Sequence, residues 1–325
     1  MAASTLEAPT SRKANNNGGS RPMLGATVAG VGALLAVVAG MVHFYVAPSL
    51  AVAPADQDSM TYLSAKDATV FDTKTLAPIT TDLSVAAHTI GDVTASKKAP
   101  GDTVVWMNNT TITSSDGVIR SQSQKRAAFD AKTGAAVNCC DNFYESVKGE
   151  RTKVNRSGLI YKFPFNTDKK TYTMWDDTAA KAVRTSYTGT SSVDGTKVYI
   201  FSSTVPAQSV GNQTIPASLL GLTGADVSAD SMYQNSTKYY VEPITGAIMN
   251  QVTDTKSWFS YDGHELVTND AHLSYTPKEI KDMHSTVGSK PGLLALAQGF
   301  LPWVVLLLGL VMVTIGTGLA RRRVA

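Results

Sequence analysis

Few residues in this chain have the types and spacing that enzyme chemistry requires. The five histidines form neither an HExxH motif nor a close metal-ligand spacing, and no G-x-S-x-G, P-loop or dinucleotide-binding sequence occurs. His264 and His272, with several acids around them, form the best acid–base cluster available. Asp176 and Asp177 could hold a cation, but adjacent acids are more often turn residues. We expect no catalytic residue, no metal and no cofactor, and predict that the chain is not an enzyme.

Cys139 and Cys140 are the only cysteines and are adjacent in the sequence. Neighbouring α-carbons lie about 3.8 Å apart, below the usual disulfide range of about 4.4–6.8 Å. A disulfide between them would close a strained ring and stiffen a turn, and this is our prediction. Two free thiols, an intermolecular bond, a metal role and a redox switch are alternatives.

Two uncharged apolar stretches, 23–46 and 300–319, lie near the two ends of the chain. Each has about the length that a helix needs to cross a bilayer. A cleaved signal peptide is the alternative for the first stretch, since Ala51-Val52-Ala53 resembles a cleavage site. The long apolar run and the following Pro54 favour an uncleaved anchor.

The charge distribution predicts the orientation of these spans. Six of the 29 Lys and Arg residues lie in the two tails, whereas 25 of the 26 acids lie between the spans, so the middle carries 23 cations and a net charge of −2. Because Lys and Arg near a span resist translocation, both ends are predicted to be cytoplasmic. The overall charge of +3 therefore reflects topology and does not indicate a nucleic-acid partner.

The middle of the chain is rich in Thr, Ser, Val, Gly and Asn and has almost no long helical periodicity, which predicts a mainly β, antiparallel fold. We expect a large extracytoplasmic β-rich domain between N-terminal and C-terminal transmembrane helices. The predicted regions are a disordered cytoplasmic tail (1–22), a transmembrane helix (23–46), the β-rich domain (47–275), a juxtamembrane helix and linker (276–298), a second transmembrane helix (299–319) and a basic cytoplasmic tail (320–325).

A local frame of an acid, two residues, Thr-Gly and an apolar run occurs twice, from Asp130 to Gly134 and from Glu242 to Gly246. Each acid can accept backbone hydrogen bonds while the glycine adopts a left-handed conformation, so both are predicted hairpin turns. Residues 158–201 alternate apolar and polar side chains and predict a meander of about four short strands. Most of its many aromatic residues should be core, and a fraction could line an apolar groove.

Gly32, Ala36 and Gly40 form a small-residue ridge on the first span, where a second helix could approach closely. Thr314 and Gly318 could form the matching surface of the second span. The alternative is that small residues are simply frequent in such spans. His43 is the only ionisable residue in either span, and we expect it to belong to an interfacial aromatic belt with its neighbours.

The sequence resembles the actinobacterial PorA-type porin family. The resemblance rests on the segments GLIYKFPFNTDKKTYTMWDDTAAKAV (158–183), GTKVYIF (195–201), IPASLLGL (215–222) and YYVEPITGAIMNQ (239–251), and on the two-span layout. It implies a cell-envelope location, and it transfers no catalytic residue. Glu242 stands where the family prefers Asp.

We expect an inner-membrane-anchored envelope protein that binds or passes a hydrophobic ligand such as a lipid. One alternative is an assembly module that docks other envelope proteins or a second copy of itself. A further alternative is an oligomeric porin-like channel. A barrel that crosses a membrane needs an apolar outer face, which the polar strands of this chain do not offer.

Overall fold

The structure is a computed structural model that describes residues 20–146, 149–287, 292, 294–296 and 299–321. It contains two compact units. One consists of residues 1–50 and 295–325 and contains the apolar helices. The other, residues 51–294, is the β-domain. Most of the two predicted tails and part of the predicted linker lie outside the described residues.

The elements follow the chain in this order: α1 (Ser20–Met41), a π-helical turn (Val42–Val46), α2 (Ala47–Leu50), β1 (Asp58–Asp72), β2 (Ala77–Gly91), α3 (Val93–Lys98), β3 (Thr103–Ser114), β4 (Ile119–Asp130), β5 (Ala136–Val137), β6 (Phe143–Glu145), β7 (Thr152–Lys153), β8 (Tyr172–Asp176), β9 (Lys181–Val193), β10 (Thr196–Ile215), a 3₁₀ helix (Ala217–Leu220), β11 (Val227–Val241), β12 (Ile248–Tyr261), β13 (His264–Tyr275), α4 (Pro277–Val287) and α5 (Leu301–Arg321). This architecture confirms the predicted β-rich fold with apolar helices at both ends.

The helical unit contains two helices that are long and apolar enough to cross a membrane, residues 23–50 and 301–321. They pack through glycines: a Cβ added to Gly32 would lie 2.5 Å from the carbonyl oxygen of Gly309. Ala36 lies at the same crossing, where its nitrogen would be 2.9 Å from a Cβ at Gly309. A Cβ at Gly40 would meet nothing within 4 Å, so Gly40 is not a point of close approach. Gly25, opposite Gly316, takes that place instead.

Two other predictions for the helical unit concerned Gly318 and His43. Gly318 meets nothing within 4 Å, so the predicted matching surface on the second span is wrong there, and the closest approach uses other glycines. His43 lies in the π-helical turn, and its ring centroid is 4.9 Å from that of Phe44 and 5.0 Å from that of Trp303. His43 therefore belongs to an aromatic cluster.

The β-domain is built on one antiparallel sheet in the order β7-β6-β4-β3-β2-β1-β13-β12-β11-β10-β9-β8, with β5 also paired to β4. Leu159 joins the two sides of this sheet by bridging to Ala135 and to Met174. Its N–H donates to Thr173 O (2.8 Å) and its carbonyl accepts from Trp175 N (2.9 Å). The backbone hydrogen bonds thus continue from β5 through Leu159 to β8, and the sheet closes into a barrel.

We call the end of the barrel that carries this closure the floor. Ala53 N donates to Ala131 O there, and α4 begins directly after β13 ends at the same end. The chain therefore enters the sheet and leaves it at the floor. Thr276 caps α4 by accepting from Glu279 N (3.1 Å), whereas the Glu279 carboxylate accepts from Tyr62 N on β1.

In the half of the barrel away from the floor, which we call the distal half, the wall is open along one side. Residues 119–123 of β4 pair only with β3, and residues 205–215 of β10 pair only with β11, among the strands that the structure describes. We call this opening the gap. It leads to the space enclosed by the inner face of the sheet, which we call the chamber.

The strands are longer than the sequence predicted. β1 and β2 have 15 residues each and β10 has 20. Breaks in register near residues 64–69 of β1 and residues 205–212 of β10 let these strands continue through polar residues, a proline and a glycine that would otherwise end them. The prediction of short strands was wrong because these irregularities absorb the punctuating residues.

Candidate functional site

The chamber wall carries polar side chains above the floor, beside an apolar cluster that contains Leu83 and Ala271. Side chains alternate across β3, so Asn108 and Thr110 share the inner face with Trp106 and Ile112, which belong to inner apolar clusters. Asn108 Nδ2 donates to Thr89 Oγ1 on β2 (2.8 Å), and Thr110 Oγ1 donates to Asn108 Oδ1 (2.9 Å). All three polar side chains are half-buried. The wall therefore offers amide and hydroxyl groups that can bind a polar ligand.

The opposite wall continues this chemistry on β11 and β12. Thr237 Oγ1 lies 3.2 Å from Thr253 Oγ1, and Gln251 Nε2 donates to Thr253 Oγ1 (3.1 Å). Asn235 Nδ2 donates to Thr237 Oγ1 (3.3 Å). These side chains occupy the inner face because they share register positions with the inner residues of β10 and β13. Polar groups thus line both sides of the chamber.

The outer face of the same strands carries charged side chains. They include Asp82, His88, Lys238, Asp254 and His272, which occupy the positions that alternate with the inner ones. His88 pairs with Asp58 (2.7 Å) and His272 with Asp254 (2.6 Å) on this exposed surface. A barrel that crosses a bilayer needs an apolar outer belt, so this face belongs in water.

The floor of the chamber is formed by residues 156–167, which we call the floor segment. The sequence predicted a strand here, but burial does not alternate along the segment: Leu159 and Phe163 belong to one cluster, and the intervening Ile160 belongs to another. Apart from the bridges of Leu159, no described residue of this segment pairs as a strand. The prediction of a four-strand meander is therefore wrong. The predicted region contributes three strands, β8, β9 and β10.

The two Thr-Gly turns hold the floor segment. The Asp130 carboxylate accepts from Thr133 N (2.8 Å), and Glu242 accepts from Thr245 N (2.7 Å). Gly134 O accepts from Ile160 N and Gly246 O accepts from Phe163 N. Added Cβ atoms would lie 2.6 Å from Lys162 O at Gly134 and 2.1 Å from Phe163 O at Gly246. Only glycine allows the backbones to come this close.

Two further turns share this hydrogen-bonding pattern; the sequence indicated a turn at Asp176, but not that these turns share the frame of the other two. Asp72 accepts from Thr75 N (3.1 Å), with Leu76 in the left-handed region at φ 55°. Asp176 accepts from Ala179 N (2.8 Å), with Ala180 at φ 50°. The missed signal is an acid followed three residues later by an N–H donor and then by any residue that tolerates positive φ. The predicted frame, which includes Thr-Gly, is narrower than this signal.

The aromatic residues of residues 158–201 pack mainly on one another at the floor. Phe163 lies between Phe201 (ring centroids 4.6 Å apart) and Tyr172 (5.6 Å), and Tyr187 packs on Phe201 (5.8 Å). This cluster is apolar core. Burial raises the pKa of Tyr239, at its border, to about 12.

A buried charge network ties the floor segment to the barrel wall. The Arg156 side chain is 0% exposed, and its Nε lies 3.0 Å from Asp177 Oδ1. Lys125 Nζ on β4 lies 3.1 Å from the other oxygen of Asp177. Burial alone would raise the pKa of Asp177, but the two cations outweigh this effect and leave that pKa lowered. The network therefore stays ionised and joins β4, the floor segment and the turn after β8.

Asp176 and Asp177, considered as cation ligands, are used otherwise. Asp176 Oδ2 accepts from Tyr233 OH (3.0 Å) and from Asn235 Nδ2 (3.4 Å), and Asp177 is paired with the cations described above. Burial, followed by the charge of Asp176, raises the pKa of Tyr233. Across the described residues, no group of three or more His, Cys, Asp or Glu side chains is placed to hold a metal ion.

Lys162 is a buried lysine within the floor segment. Its Nζ has no hydrogen-bond partner among the described residues and lies 3.8 Å from the centroid of the Phe165 ring. Burial lowers the pKa of Lys162 to about 7, while the charge of Asp130 acts in the opposite direction. The folded protein therefore disfavours the charged form of this lysine.

Cys139 and Cys140 form a disulfide in the loop between β5 and β6. Cys140 and the next residue both have positive φ, at 64° and 60°. The carbonyl of Cys140 accepts from Arg126 Nε (3.0 Å), and Arg126 also pairs with Asp92 (2.9 Å). The disulfide thus sits in a compact turn on the outer side of β4.

His264 and His272, the predicted acid–base pair, are not brought into one site. His264 opens β13 at the distal hairpin, whereas His272 pairs across to β12. His272 is 64% exposed and Asp254 is 66% exposed. His272 lies on the outer face of the sheet.

Taken together, a closed sheet with a polar outer face and two apolar, membrane-length helices defines a membrane-associated protein with a large β-domain. A family profile described as Porin PorA matches residues 24–317, almost the whole chain, and the chain belongs to this family. It is also similar to a protein described as Porin PorA from Corynebacterium amycolatum, with 27% identity over 206 residues. That match covers 50% of this chain and 53% of the relative, so the chain spans about half the length of the curated relative.

Proposed function

We propose that this protein handles a ligand outside the membrane, with the β-domain as the ligand-binding part and the two apolar helices as its anchor. The observation that carries the proposal is the chamber wall: half-buried amide and hydroxyl groups lie on the inner face of a closed sheet whose described strands leave a gap in the distal half. The basic tails support an orientation in which both chain ends are cytoplasmic and the β-domain is extracytoplasmic.

The chamber chemistry narrows the class of ligand. A purely hydrocarbon ligand would offer no partner to Asn235 Oδ1, which has none among the described residues, or to the remaining hydrogen-bonding capacity of Asn108 and Thr110; each group left unsatisfied costs about 1–3 kcal/mol. A ligand with a hydroxyl-bearing or amide-bearing part satisfies them. The lipid that the sequence analysis favoured fits the chamber only if its polar part enters.

The test is chemical identification of whatever copurifies with the full-length protein in a mild detergent. Organic extraction followed by mass spectrometry is expected to give one class of compound, with a hydrogen-bonding polar part, near stoichiometric amounts. Extracts that match the bulk membrane lipid in composition would contradict the proposal.

Conduction is the second candidate function, and family membership is the observation that favours it. One copy offers no pore between its helices, because Gly32 and Gly309 bring the two backbones into contact. A pore would require several copies. Reconstitution in planar bilayers gives discrete conductance steps if this function is correct and a silent bilayer if it is not.

A further inference from the structure

A groove on the outside of the floor is distinct from the chamber. Its volume is about 620 Å³ and it is lined by residues from the loop after the floor segment, the β9–β10 hairpin, the Glu242 turn and α4. Its lining side chains include Thr196, Lys197, Tyr199, Glu242, Ile244 and His284. All of these residues belong to the β-domain.

Two lysines lie beside Tyr199, which lines the groove: Lys197 is itself a lining residue, and Lys169 is next to the lining. Lys169 Nζ and Lys197 Nζ lie 5.2 Å and 6.0 Å from the centroid of the Tyr199 ring. In the described part of the chain, neither lysine lies within 4.0 Å of a carboxylate. The neighbouring Asp168 pairs with Lys170 instead (2.9 Å).

The acid in the groove lining does not cancel this charge. Glu242 is 3% exposed, and its carboxylate accepts from Ile244 N (3.0 Å), Thr245 N (2.7 Å) and Thr245 Oγ1 (2.6 Å). The carboxylate is therefore shielded by its own turn. The groove also presents neutral polar groups: His284 Nδ1 lies 2.8 Å from Thr196 Oγ1, which leaves the other ring nitrogen for a ligand.

We infer that this groove binds the phosphate group of an anionic membrane-lipid headgroup. Two unpaired ammonium groups beside hydroxyl and imidazole groups match the chemistry of a phosphate. The lining favours a lipid as its source, because apolar residues lie beside the cations in the same groove. Tyr199, Pro243 and Ile244 supply apolar surface for the glycerol and the first methylene groups.

The inference does not depend on the chamber and is tested separately. Native mass spectrometry of the full-length protein in mild detergent measures binding of phosphatidylglycerol and of phosphatidylcholine with the same acyl chains. The wild type is expected to prefer phosphatidylglycerol, and K169Q/K197Q is expected to lose about tenfold in affinity for it, given about 1 kcal/mol for each cation before screening.

The matched control is K74Q/K181Q, which removes two exposed lysines of the distal half and should leave the preference unchanged. Equal binding of the two lipids, or an unchanged preference in K169Q/K197Q, overturns the inference. So does complete displacement of phosphatidylglycerol by millimolar inorganic phosphate, because the groove would then be a site for the free anion.

Discussion

Replacing Lys162 with Met should stabilise the β-domain at neutral pH. The side chain is 9% exposed, and its Nζ has no hydrogen-bond partner among the described residues. The difference between a pKa of about 7 and the ordinary value of 10.5 corresponds to a cost of about 5 kcal/mol for holding this lysine in the floor segment. At pH 7 part of the lysine is already neutral, and the Phe165 ring stabilises the charged form by about 1 kcal/mol. Replacing Lys162 should therefore gain about 3 kcal/mol of stability. Met has nearly the same shape and carries no charge.

The gain should depend on pH in a defined direction. The pKa of Lys162 is lower in the folded protein than in the unfolded chain, so the unfolded chain binds more protons between pH 7 and 10.5. The stability of the wild type should therefore rise with pH across this window. The advantage of K162M should be largest at pH 7 and below and should disappear as the pH approaches 10.5.

Thermal unfolding of the full-length protein in detergent, followed by far-UV circular dichroism, measures this effect. For a domain of this size, about 3 kcal/mol corresponds to an increase in Tm of about 6–12 °C at pH 7. K74M, at an exposed turn position, is the control and should change Tm little at either pH. Two results would contradict this reasoning: K162M no more stable than the wild type at pH 7, or an equal gain in stability at pH 10. Either would mean that folding does not disfavour the charged form of Lys162.

Three other substitutions test the elements that form the site. G246A should destabilise the β-domain by about 3 kcal/mol through overpacking, since its Cβ would lie 2.1 Å from Phe163 O, and chemical denaturation measures this. R156M should cost about 3–5 kcal/mol in the same assay, because it leaves buried Asp177 with Lys125 as its one cationic partner among the described residues, beside the hydrogen bond from Trp175 Nε1. G32L should separate α1 from α5, which spin-label distances between the two helices would report as longer and broader distributions.

Each of these predictions has a matched control. G263A adds a Cβ at a similar φ (78°) with nothing within 4 Å, so it should cost only about 1 kcal/mol. R151M removes an arginine that is 61% exposed and should cost less than about 1 kcal/mol. G30L lies on a face of α1 with open space and should leave the helix distances unchanged. A control that behaves like its test variant would remove the argument for that contact.

The sequence was informative where structure depends on local chemistry. Apolar runs at both ends, the cap at Thr276 and the acidic turns all follow from residues a few positions apart, and the structure has a helix or turn at each. The floor segment was mistaken for a strand because Leu159, Tyr161 and Phe163 alternate as strand residues do. Its neighbours are two turns more than 100 residues apart, so no local pattern could reveal them.

The chamber and the groove also depend on contacts between residues that are far apart in the sequence. The gap exists because the distal residues of β4 and of β10 each pair with only one of the described strands. Strand propensity does not encode this. The groove needs a loop, a hairpin, a turn and α4 side by side. The sequence has lysines and aromatic residues around residue 170, but it does not show that Lys169 would remain without a carboxylate partner among the described residues while Lys170 pairs with Asp168.

The most direct test of the proposed function compares two substitutions on one strand. Thr110 faces the chamber and Thr111 faces outwards, so T110W should fill the chamber whereas T111W should add the same ring to the outer surface. Native mass spectrometry of the proteins purified in mild detergent should show a copurifying ligand on the wild type and on T111W, and its loss from T110W. Equal retention by both variants, or bare wild-type protein, would contradict a ligand site in the chamber.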